Sequence, residues 1–207
     1  FFPFLMFNNI YAFDLSADFN ASLLLYAVVA VAVIYGLSVG FALIFEKSNK
    51  SRGALIQAIY RSNFVLMGLP IVGNIFGSGR LGMTSMLVTV IVPMYNILAV
   101  ITLEVFRGES IKITKILKGI VTNPLIIGSV AGILFAVFGI KLPEIAESVI
   151  SDMASAATPL ALIVLGASFE FASIKRYKKN LIAVIFARLI IVPAISLSVA
   201  IMIGFRG

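Results

Sequence analysis

SNFVLMGLPIVGNIFGSG, residues 62–79, is apolar enough to lie in a bilayer, yet it carries residues that interrupt helices. Asn63 precedes Gly68-Leu69-Pro70, and Gly73-Asn74 follows. Proline gives up a backbone N–H and crowds the preceding turn, and glycine is the weakest helix former after it. A helix opened here frees N–H and C=O groups at mid-depth, where only protein or a hydrated cavity can satisfy them. The positive end of a half-helix can then hold an anionic group, as in the discontinuous helices of secondary transporters. The structural alternative is a kink packed on small residues.

The rest of the chain supports a membrane setting. Of 207 residues, 61% are apolar and 12% charged, and the mean hydropathy is +1.12. Long uncharged runs of this kind are membrane helices, and most lack the polar outer face of a soluble bundle. Cysteine and histidine are absent, which leaves the redox compartment unread and removes the commonest metal ligand and proton shuttle. The chain opens on Phe1-Phe2-Pro3 without a basic leader, so it shows no secretory signal and reads as lacking its natural start. The net charge of +7 lies in short loops between apolar runs, which points to topology rather than to nucleic acid.

Six complete spans are predicted, at about 21–45, 54–76, 83–106, 116–140, 143–171 and 181–205, after a short apolar tail at 1–11. Lys47, Lys50 and Arg52 follow the first span. Arg107, Lys112, Lys115 and Lys118 follow the third, and Lys175, Arg176, Lys178 and Lys179 follow the fifth. The positive-inside rule makes the basic loops 46–53, 107–118 and 175–180 cytoplasmic and the chain an integral protein of the cell (inner) membrane. Lys112, Lys115 and Lys118 recur at helical spacing and predict a basic interfacial helix on anionic lipid.

A second break is expected in TPLALIVLGASFEF, residues 158–171. Aligning Pro159 with Pro3 sets Phe169-Glu170 on Phe13-Asp14. By the charge rule the two copies leave the membrane on opposite sides, the mark of an inverted repeat. Carried along the chain, this register predicts one helix before Phe1 and about two beyond Gly207. Pro93, Pro124 and Pro193 are read as kinks.

RSNFVLMGLPIVGNIFG, MYNILAVITLEVFRG, and NPLIIGSVAGILFAVFGIKLP followed by ATPLALIVLGASF resemble the auxin efflux carrier family of membrane transporters, bacterial type, over essentially the whole chain. The resemblance implies an all-α polytopic fold of two inverted repeats of five helices, the fourth and ninth discontinuous. Residues 1–106 would then be the first repeat (helices 2–5), 107–119 a cytoplasmic linker and 120–207 the second repeat (helices 6–8). The first, ninth and tenth helices lie outside it. The implied activity is secondary transport of small organic anions by alternating access, with malate, malonate or auxin-like acids as substrates.

On that mapping Asn63, Gly68 and Pro70 form the substrate site at the broken helix, where an amide donor beside an opening suits a carboxylate. Tyr95 and Asn96 match a pair facing the same cavity, or else serve a Tyr–Asn contact between helices. Thr158 and Pro159 with Gly166 and Ser168 line the opposite wall, or serve close packing; Asn8 is a further candidate. Glu144, Glu147, Ser148, Ser151, Asp152 and Ser155 form a polar stripe. It is either a solvated rim or a vestibule in which Asp152 carries a coupling proton. Arg61 and Arg188 either snorkel to the interface or meet substrate. No cofactor is expected. The expected partners are the organic anion, the lipid bilayer, a coupling H+ or Na+ and a second copy in a homodimer. An intramembrane enzyme would need paired mid-depth carboxylates that the sequence does not offer. A non-transporting scaffold or receptor on the same fold is the competing reading.

Overall fold

The computed structural model describes residues 1–12, 20–62, 68–77, 81–107, 113–171, 174 and 177–205. Its regular elements are helices: α1 Phe2–Tyr11, α2 Ala21–Phe45, α3 Asn49–Tyr60, α4 Leu69–Phe76, α5 Leu81–Val105, α6 Ile113–Val121, α7 Pro124–Phe138, α8 Glu144–Ala167, α9 Lys178–Phe186 and α10 Val192–Ile203. A π-helical turn, Ala187–Ile191, joins the last two. Among the described residues four helical stretches are long and apolar enough to cross a bilayer, or five if α6 and α7 count as one bent span.

The span expected at 54–76 is divided. Helix α3 begins at Asn49, ends at Tyr60, and Arg61 is extended. The described chain is helical again at Gly68, which is π-helical, and α4 follows from Leu69 with Pro70 in its first turn, where the missing N–H costs no intrahelical bond. The interruption therefore precedes Pro70, and Asn74 is helical. The span expected at 116–140 bends by 55° between α6 and α7. A residue before proline avoids the helical region, and Asn123 is extended (ψ 118°) and caps the new helix instead. Pro124 thus starts a helix rather than kinking one.

The break expected at 158–171 is corrected: α8 runs through Pro159 and ends only at Ala167. Helix α5 also continues through Pro93. Before Pro193 the backbone widens into the π turn, which makes room for a ring that crowds the preceding carbonyls.

The chain divides into two compact units. The first comprises Phe1–Ala21, Asn63–Leu98 and Ile113–Phe169. In it α1 packs on α7 and α8. Gly128 and Gly132 of α7 lie directly under the α1 backbone, with Cβ positions 2.4 Å from the Pro3 carbonyl oxygen and 2.9 Å from that of Phe7. Two glycines four apart are what close helix contact in a bilayer requires, because dispersion and not hydrophobic exclusion drives it. Phe7, Tyr11 and Phe135 form a ring cluster with centroids 5.4–6.3 Å apart. Tyr11 Oη accepts the Leu142 N–H at 3.0 Å, which ties the loop after α7 to the end of α1.

The second unit comprises Ser22–Ser62, Ala99–Lys112 and Glu170–Gly207. Along α2 only Val31, Ser38 and Ala42 are buried, one narrow stripe on a helix otherwise fit for lipid. The Thr102 hydroxyl donates to Tyr35 Oη at 3.1 Å, and the Tyr35 ring meets Tyr60 edge-on. Tyr26 donates to the Ser196 carbonyl and packs on Phe205, which fastens α10 to α2.

Candidate functional site

The interruption between α3 and α4 remains the most informative local feature. Asn63 lies outside the described residues. Gly68, half-buried, is π-helical and leads into α4, with Pro70 in its first turn. The N–H groups at a helix start have no intrahelical partner and carry about +0.5 of a charge together.

Every described candidate substrate residue belongs to the first unit: Asn8, Gly68, Pro70, Tyr95, Asn96, Thr158, Pro159 and Ser168, with Asp152. Within that unit they stand differently. Tyr95 and Asn96 sit in α5, 8% and 3% exposed, packed into protein. A cavity of about 310 Å³ on α5 is lined by Thr89, Pro93, Met94, Ile97 and Leu98, with Ile133 of α7. Tyr95 and Asn96 do not line it, and its walls suit hydrocarbon rather than a carboxylate.

Thr158 is half-buried and Pro159 exposed on α8. Ser168, at the end of that helix, donates to the Val164 carbonyl at 2.8 Å. At 100° per residue it lies about 180° around the helix from Pro159, so these two do not share a wall. Asp152 shares the face of Pro159 and is exposed, as are Glu144, Glu147, Ser148 and Ser155. Asn8 is half-buried on α1.

Three features escaped the sequence reading. The first is the glycine pair at 128 and 132, for which the G-x-x-x-G spacing was the available signal. The second is a polar junction in the second unit, at the end of α2. The Asn180 amide donates to Glu46 Oε2 at 2.6 Å, while Glu46 Oε1 accepts the N–H groups of Lys47 and Ser48. Arg52 donates to the Glu46 carbonyl at 2.6 Å. The Ser48 N–H and then the Asn180 amide hold the Glu46 carboxyl below its ordinary value against the opposing effect of burial, with lesser help from Lys47 and Arg52.

The third concerns Arg188. It was expected to snorkel or to meet substrate, yet its Nη1 donates to the carbonyls of Ala58 at 3.3 Å and Ile59 at 3.1 Å. Those carbonyls lie in the last turn of α3, where no later helical N–H can reach them. Arg61, by contrast, is exposed just past the same helix end.

The basic helix expected after residue 107 is α6. Ile113, Leu117 and Val121 are exposed on it together with Lys115 and Lys118; Lys112 lies outside the described residues.

A family model described as membrane transport protein matches residues 1–207. An uncharacterized transporter of Methanothermobacter thermautotrophicus is 26% identical over 211 residues, covering 99% of this chain and 67% of that protein. No solved structure matches.

Proposed function

The chain belongs to the membrane transport protein family, and on that premise we propose that it works in secondary transport of small organic anions, carboxylates such as malate, malonate or auxin-like acids. The observation that carries this reading is the interruption itself: α3 stops at Tyr60 and α4 starts at Leu69, inside a stretch of sequence with no acid. A bilayer tolerates opened backbone only where protein or a hydrated cavity receives it. A half-helix start offers an anion unpaired N–H groups and a favourable dipole without any covalent chemistry.

In this reading Asn63 supplies an amide donor to the carboxylate, beside the backbone at Gly68 and Pro70. Tyr95, Asn96, Thr158, Pro159, Ser168 and Asn8 shape the remaining walls, and Asp152 carries the coupling proton. Alternating access would proceed around the broken helices. The loops at 46–53, 107–118 and 175–180 face the cytoplasm, and α6 lies at that interface with its lysines toward anionic headgroups.

The test is uptake of labelled malate, malonate, succinate and indole acetate into liposomes holding the full-length protein. Saturable uptake is expected for at least one acid. Asn63→Ala should raise its KM by about tenfold or more, the effect of losing a hydrogen bond to a charged group. Absence of uptake for all four acids retires the carrier in favour of a scaffold or receptor. An unchanged KM moves the site away from Asn63.

A further inference from the structure

Arg188 sits on the π turn Ala187–Ile191, half-buried in an otherwise uncharged stretch from Leu181 to Phe205. An intramembrane cation is costly and persists where it has a partner. Here the partners are backbone carbonyls. The Arg61 N–H takes the carbonyl of Gln57 at 3.1 Å, and the next two carbonyls, of Ala58 and Ile59, receive Arg188 Nη1. A helix that ends inside a membrane leaves just these acceptors without intrahelical donors and gathers about −0.5 of a charge there.

We infer that Arg188 is the positioning residue of the interrupted helix: its guanidinium closes the C-terminal end of α3 and offsets the negative pole created where the chain stops being helical. The π turn has a part in this. Its extra residue per turn shifts the side-chain direction relative to an α-helix and so turns position 188 toward α3 within the second unit. Lysine would keep the charge but not the planar fork, and glutamine would keep a donor without the charge.

The consequence for transport rests on the anion-carrier reading above. A helix C-terminus repels anions, so an uncapped α3 would oppose entry of a carboxylate at the interruption. Arg188 removes that opposition without touching the substrate.

Two measurements on the full-length protein in lipid nanodiscs separate these claims. The first is amide hydrogen exchange in the last turn of α3, residues 58–61, compared with the middle of α2. Arg188→Gln should speed exchange in that turn by about tenfold, as loss of a favourable helix-end charge does, and leave α2 unchanged. Arg188→Lys should give a smaller increase, about threefold. Exchange that is unchanged in Arg188→Gln overturns the inference. Should that variant not fold, unchanged exchange in Arg188→Lys overturns it equally.

The second is malate uptake in liposomes. Arg188→Gln should raise KM by about tenfold with a smaller change in kcat, and Arg188→Lys should recover most of the loss. A fall in kcat alone, with KM unmoved, refutes the electrostatic part. If the unsubstituted protein takes up no malate, the carrier reading fails there, and the exchange measurement still decides whether Arg188 holds α3.

Discussion

Replacing Gly128 by alanine puts a Cβ 2.4 Å from the Pro3 carbonyl oxygen and 3.1 Å from that residue's carbonyl carbon and Cα. All three neighbours are backbone, so no side-chain rotation relieves the contact. Ordinary van der Waals separation demands that α1 retreat from α7 by about 1 Å, and the interior of a packed helix pair does not deform freely. Overpacking of this kind costs about 1–3 kcal/mol, while alanine returns up to ~1 kcal/mol of helix propensity. The retreat also loosens Phe7 and Tyr11 against Phe135, where aromatic pairs contribute about 0.5–1.5 kcal/mol beyond their burial. A net loss of about 2 kcal/mol is expected, the propensity gain included. Gly36 of α2 is the matched control, because nothing lies within 4 Å of the Cβ that an alanine would add there. The assay is thermal or chemical unfolding of the full-length protein in one detergent, read for Gly128→Ala, Gly36→Ala and the parent. Gly36→Ala should unfold at or above the parent and Gly128→Ala clearly below it. If the two variants behave alike, the close approach of α1 to α7 is not what that glycine serves.

The junction at Glu46 predicts a pH effect of definite sign. Its carboxyl titrates lower in the fold than in the unfolded chain, so the stabilisation is complete above the unfolded range and disappears as pH falls through the lower folded value. The parent should therefore lose more thermal stability than Glu46→Gln between about pH 6 and about pH 3, where such a carboxylate becomes protonated; parallel curves would refute the linkage. At the bend between α6 and α7, Asn123 Oδ1 accepts the Leu125 N–H at 2.9 Å. Asn123→Ala should cost about 1 kcal/mol in the same unfolding assay and Asn123→Ser much less, as N-cap residues do.

How much of this was legible beforehand varies with the kind of feature. Span α2 was readable to the residue, at 21–45, because its neighbours in sequence alone make it hydrophobic on all sides. That the 54–76 segment would not be one rod was readable from Asn63, Gly68 and Pro70. Where it stops was not: α3 ends at Tyr60, ahead of the marked residues, and Pro70 serves as a first-turn proline. Proline by itself misled at residue 159, since a membrane helix with packed neighbours can carry it without opening. It misled the other way at residue 124, where the preceding asparagine could cap a new helix.

Run length, the placement of lysine and arginine, and the residues that interrupt a helix are local properties, so the amino-acid order determined that this protein is a multi-span membrane helix bundle with a divided span. A bilayer enforces that reading, because each spanning segment must satisfy its own backbone before it meets any neighbour. The tertiary structure alone decided what meets what: Gly128 under Pro3, Asn180 on Glu46, and Arg188 on carbonyls about 130 positions earlier in the chain. Such pairings depend on which helix faces come within a few ångströms, and no period or composition along the chain encodes that distance.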